Sequence, residues 1–150
     1  MSKFRSLVVF LAALLVPGVA VSGGTEDFGD YRVHYNAIAT DRLAADVASA
    51  YGIVRSKSRA MLNISITKDV PGTTGISVPG KVKVVASNLT GQVKDLNLRK
   101  VEETGDYAAI YYIGEVSVSN GETLRFDITV TPEGSGESYS ISFQQQFFTE

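Results

Sequence analysis

The chain has 150 residues, enough for one domain with a proper core, and its 44% hydrophobic and 20% charged content argues against wholesale disorder. A formal charge of −2 gives no overall basic bias toward nucleic acid. With no cysteine there are no disulfides and no cysteine-borne lipid anchor, so stability has to come from the core.

The N-terminus reads as an export leader. Lys3 and Arg5 form a positive start, residues 7–16 are an unbroken apolar run, and Pro17-Gly18 breaks it before small residues follow. Cleavage is expected after Ala20 or Ser22, which makes 1–22 a signal peptide and 23–150 one folded domain. The apolar run is short of the roughly 20 residues that span a bilayer, and no later segment is apolar enough to do so. Loss of Lys3 and Arg5 leaves 12 basic against 16 acidic residues, a mature charge of −4. These features point to the periplasm, with no membrane span in the mature chain.

Residues 22–27 read as a polar lead-in. The first strand is expected at 28–36, where Tyr31, Val33 and Tyr35 alternate with Arg32, His34 and Asn36. A helix is expected over 41–51, capped by Thr40 or Asp41 and closed by Gly52, with Leu43, Val47 and Tyr51 as its apolar stripe. Residues 53–58 read as extended. Leu62, Ile64 and Ile66 alternate with polar neighbours, residues 70–80 form a loop by their Pro-Gly pairs, and Val82, Val84 and Ala86 alternate again. After a turn at 88–91, Leu96 and Leu98 mark a strand that ends before the turn at 104–106.

Ile110, Tyr112, Gly114, Val116 and Val118 share one face, and Leu124, Phe126, Ile128 and Val130 another. A three-residue loop, Ser119-Asn120-Gly121, would pair them as a hairpin, with Val116 opposite Leu124 and Glu115 opposite Arg125. After a turn at 132–136, Tyr139, Ile141 and Phe143 alternate with polar residues. The sum is a mainly all-β chain: an antiparallel β-sandwich of immunoglobulin-like type with one short helix inserted near 41–51. A small barrel is the alternative.

The blocks F-G-D-Y-R-V-H-Y-N (28–36), A-Y-G-I-V-R-S-K (50–57), L-N-I-S-I (62–66), A-I-Y-Y-I (109–113), E-T-L-R-F-D-I-T-V-T-P (122–132) and F-Q-Q-Q-F-F (143–148) resemble, in order and spacing, the family called domain of unknown function 4426. Its members are short exported proteins of gram-negative bacteria. The resemblance implies an exported location and a single β-rich domain. It implies no catalytic residue, cofactor or partner.

His34 is the only histidine and could serve as a base or metal ligand. With no cysteine and Met61 as the one methionine outside the leader, the ligand inventory for a usual zinc, iron or copper site is missing, and no metal or cofactor is expected. No G-x-S-x-G nucleophile turn occurs. His34 is therefore expected to hydrogen-bond on the outer strand face and order the turn after Asn36. A polar ligand contact by His34 and Asn36 is the alternative.

Arg55, Lys57 and Arg59 would share one face of an extended segment. They would form either an anion or acidic-partner site or a charge-protected strand. Tyr107 and Tyr111 lie opposite the presumed core, either as a protein or ligand surface or as a face that the helix covers. Glu102 and Glu103 read as solvated.

The expected function is a periplasmic, non-catalytic domain that binds or scaffolds an unidentified envelope component. A small-ligand or anion binder using His34, Asn36, Arg55 and Lys57 is the alternative, and an envelope hydrolase using His34 the weaker one.

Overall fold

The computed structural model describes residues 22–150. The expected leader up to residue 21, including the Ala20 cleavage point, lies outside them. The strands are β1 (Ser22–Phe28), β2 (Tyr31–Ala39), β3 (Arg59–Lys68), β4 (Ile76–Ser77), β5 (Gly80–Asn88), β6 (Val93–Lys94), β7 (Leu98–Glu103), β8 (Ala109–Ser117), β9 (Thr123–Pro132) and β10 (Tyr139–Gln146). A 3₁₀ turn (Thr40–Arg42) and a helix α1 (Ala45–Ala50) sit between β2 and β3. One sheet runs β1-β2-β3-β8-β7, with β4 added beside β3; the other runs β10-β9-β5-β6. All pairings are antiparallel, giving the expected immunoglobulin-like sandwich.

The core lies between the sheets. Val33, Leu62, Ile64, Ile66 and Val116 enter it from the first sheet, and Leu124, Phe126, Ile128, Val130 and Ile141 from the second. Phe28 of β1 stacks on Tyr139 of β10 with ring centres 4.4 Å apart, which joins the two sheets along one edge. The inner faces follow the period-two reading because apolar burial is what fixes strand register.

The Tyr112 hydroxyl, on β8, also crosses the gap. It donates to the Gly80 carbonyl and accepts from the Gly80 N–H, both at 2.9 Å. A Cβ at Gly80 would stand 2.7 Å from the Thr131 carbonyl oxygen, so only glycine brings β5 this close. Tyr112→Phe leaves both backbone groups without that partner. It should lower unfolding stability by about 1–3 kcal/mol, read as a lower urea midpoint at unchanged slope. An unchanged midpoint would show that the bridge contributes nothing.

Four local expectations are corrected. The lead-in is a strand: residues of β1 pair from Ser22↔Ala37 to Phe28↔Tyr31. The two-residue Gly29-Asp30 connection works because Gly29 takes φ 60, the glycine-first geometry of a tight hairpin. The expected 110–130 hairpin does not form, since β8 pairs with β3 and β7 while β9 pairs with β10 and β5. The 118–122 segment crosses between sheets, and two strands facing one core from opposite sheets show the same alternation as a hairpin. Glu115 accordingly meets Arg59 at 3.5 Å, and Arg125 meets Asp127 at 3.0 Å. The helix is shorter than expected and broken, because Leu43 and Ala44 are extended between the 3₁₀ turn and α1. Neither Thr40 nor Asp41 caps it.

Leu43, Val47 and Tyr51 nevertheless bury as a stripe, packing with Ile53 on Ile38, Met61 and Ile113 of the first sheet's outer face.

Candidate functional site

His34 is held between neighbouring strands. Its Nδ1 lies 3.1 Å from Thr25 Oγ1 on β1 and its Nε2 lies 3.3 Å from Thr67 Oγ1 on β3. A neutral imidazole satisfies both hydroxyls, donating from one nitrogen and accepting at the other. Burial holds its pKa below the ordinary value, and the Arg32 charge adds to this against the opposing pull of Asp27. Asp27 itself is engaged by Arg32 at 2.6 Å. No turn follows Asn36, since β2 runs on to Ala39, so His34 pins β1 and β3 to β2 instead. Asn36 is buried opposite Asn63, and Asn36 Nδ2 and Asn63 Oδ1 are buried without a hydrogen-bond partner among the described residues.

Arg55, Lys57 and Arg59 do not share a face. Residues 53–56 are irregular, a turn follows at 57–58, and β3 begins at Arg59. Arg59 turns to Glu115 in a cleft of about 310 Å³ that also holds Asp95 and Arg99. Arg55 donates from Nη2 to the Asp41 carbonyl at 2.9 Å. Lys57 lines a different cleft of about 340 Å³. Asp41 lies beyond the end of β2, and the five residue steps from His34 to Ala39 span roughly 17 Å of strand. His34 is engaged by Thr25 and Thr67, Asn36 is buried opposite Asn63, and neither is among the partners of Arg55 or the lining of the Lys57 cleft.

The Lys57 cleft opens at the end of the sandwich, between the exit of β2 and the tail after β10. Thr40 braces one side of it from behind the lining residues. It is fully buried, and its Oγ1 donates toward the carbonyls of Val54 and Ser56 at 2.9 and 3.1 Å and accepts from the Ser56 N–H at 2.8 Å. Those bonds hold the 53–58 segment against the 3₁₀ turn, and so bring Lys57 to the same cleft as Arg42, while Arg55 reaches the Asp41 carbonyl. The other wall is the tail. Phe147 is buried, donates its N–H to the Glu122 carbonyl and accepts from the Gly121 N–H, each at 2.8 Å. Phe148 next to it is 64% exposed.

Arg42, Lys57, Asp41 and Glu150 all line this cleft. Among the described residues, the ion pairs formed include neither Arg42, Arg55 nor Lys57. Gln145 lines it too, and its Oε1 is buried with no hydrogen-bond partner among the described residues. The arrangement suits an anionic group that also offers a hydrogen bond and some apolar surface. Sequence reasoning passed over Arg42 and Gln145. The available signal was parity: Gln145 has the same inner-face register as Ile141, Phe143 and Phe147, where an apolar residue is the rule.

Tyr111 is half-buried against the α1 cluster, which covers it, while Tyr107 is 62% exposed. Burial raises the Tyr111 phenol pKa, and the Glu103 charge raises it further. Glu103 is not solvated as expected: it is buried, and its Oε1 accepts from the Tyr51 hydroxyl at 2.7 Å. Glu102 on the opposite face does stay in water, paired with Lys100.

Among the described residues, no helix is long and apolar enough to cross a membrane, and no three His, Cys, Asp or Glu side chains gather as a metal-ligand group. A family model described as a domain of unknown function, DUF4426, matches residues 25–150. A solved structure of a DUF4426 family protein from Pseudomonas aeruginosa PAO1 is similar, with a TM-score of 0.69 at 35% identity, over 85% of this chain and 96% of that one. No curated protein matches.

Proposed function

The chain belongs to the DUF4426 family, and from that premise we propose that it is a periplasmic, non-catalytic binding domain that holds an anionic group of an envelope component in the cleft at the end of the sandwich. One observation carries this reading. Arg42 and Lys57 line one cleft, and neither takes part in an ion pair among the described residues, in a chain that carries more acids than bases overall. Cations left without partners keep their full capacity for an incoming anion, and a concave site with apolar walls strengthens that attraction. The reading of location rests on the leader-like residues 1–22.

The test is site-specific photocrosslinking in cells from position 148, at the cleft mouth. A discrete cross-linked envelope component is expected, and the added change Arg42→Glu with Lys57→Glu should remove it. A cross-link that survives the charge reversal, or none at all, would overturn the proposal.

A further inference from the structure

Gln145 is out of place. Along β10 and the tail, Ile141, Phe143 and Phe147 turn toward the other sheet, and Gln145 shares their parity. A side-chain oxygen buried in that register loses water without gaining a partner, a cost that native interiors rarely bear unless something supplies the missing bond. Its Oε1 is buried with no partner among the described residues, and the residue lines a cleft that Lys57 and Arg42 also line. The orphan group and the unpaired cations therefore face the same occupant.

From this we infer that the cleft captures the C-terminal end of an extended polypeptide. This rests on the binding role proposed above and names the partner's chemistry. The terminal carboxylate lies between Lys57 and Arg42. The last peptide N–H donates to Gln145 Oε1. The last side chain rests on Phe148, the exposed aromatic of the cleft. A peptide unit carries both a donor and an acceptor, so it satisfies the Gln145 amide whichever way that amide is turned. A simple inorganic anion would answer the cations but leave Phe148 uncovered. A fatty acid would answer the cations and the aromatic wall but has no donor for Gln145. Asp41 and Glu150 are also in the cleft and disfavour a second negative charge, which suits a single terminal carboxylate better than a polyanion.

The experiment is a fluorescence-anisotropy titration of the purified protein with a pool of N-terminally dye-labelled tripeptides ending in Leu, Phe, Val or Ala. Each is made with a free C-terminal carboxylate, with a C-terminal amide, and with the last peptide nitrogen methylated. The free acids should bind about tenfold tighter than either modified form. Lys57→Ala with Arg42→Ala should erase the preference for the acid. Gln145→Leu should erase the penalty for methylation, while Gln145→Asn, which keeps an amide, should retain part of it. Equal binding of acid and amide, no binding by any peptide, or tighter binding by decanoate than by the peptides would each overturn the inference. If peptides fail while the charge-sensitive cross-link from position 148 persists, the anion-binding role stands and only the peptide identity falls. If both fail, both readings fall.

Discussion

Phe126→Ala is expected to cost about 3–5 kcal/mol of unfolding stability, the largest loss from any single truncation in this fold. Phe126 has no exposed surface, and its ring stacks on Phe143 with centres 5.0 Å apart. On β9 it stands between Phe143 of β10 and Ala86 of β5, a cross-strand row of two large residues and one small one. Truncation would put two alanines side by side in the middle of the inner layer. Ala86 cannot grow to fill the space, and Phe143 is already committed to Tyr35, whose ring centre lies 5.0 Å away. The void therefore stays, and the lost transfer energy is compounded by lost contacts. A domain of this size is stable by about 5–15 kcal/mol in total, and a chain without cysteine has no cross-link to limit the damage. Urea denaturation should show the midpoint falling at unchanged slope. A loss below about 1 kcal/mol would mean that the inner layer repacks freely.

How far the sequence alone could reach is visible in three places. The inner faces were legible because period-two alternation is a local property, and Val33, Ile64, Phe126 and Ile141 all fall where it puts them. Pairing was not legible in the same way. Ile110 to Val118 and Leu124 to Val130 alternate identically whether they bond to each other or face each other across a core, and the choice depends on β3 and β5, which are far away in the chain. The charged face at Arg55, Lys57 and Arg59 failed for a related reason. Period two holds only while the chain is extended, and the turn at 57–58 sends Lys57 and Arg59 to different clefts.

The candidate site was half legible: Lys57 drew attention by charge. Arg42 meets it at one cleft only because Thr40 folds the 53–58 segment back on the 3₁₀ turn. His34 drew attention by being alone, and its two threonine partners come from strands that become neighbours only in the folded sheet.

Tyr51→Phe should cost about 3 kcal/mol near neutral pH, although it removes a single oxygen. The ring stays in the α1 cluster and the backbone carbonyl of residue 51 stays available to the Arg99 guanidinium, so packing is preserved. What is lost is the donor to Glu103, a carboxylate with 5% of its surface exposed. A buried carboxylate left without its donor has neither water nor partner. Replacing both ends removes that penalty, so Tyr51→Phe with Glu103→Met should be less destabilised than Tyr51→Phe alone.

The same hydroxyl sets an alkaline signature. Burial, then the bond to Glu103, push the Tyr51 phenol well above its ordinary value of 10.0. The folded state thus holds this proton more tightly than the unfolded chain does. The resulting stability is fully present below about pH 10 and is lost as pH rises past it, by about 1.4 kcal/mol per pH unit. Tyr51→Phe should therefore be the less stable protein at pH 7 yet lose stability more slowly above pH 10. Chemical denaturation at pH 7, 9, 10 and 11 reads both effects. Parallel alkaline slopes for the two proteins would show that the folded state does not hold the Tyr51 proton more tightly than the unfolded chain.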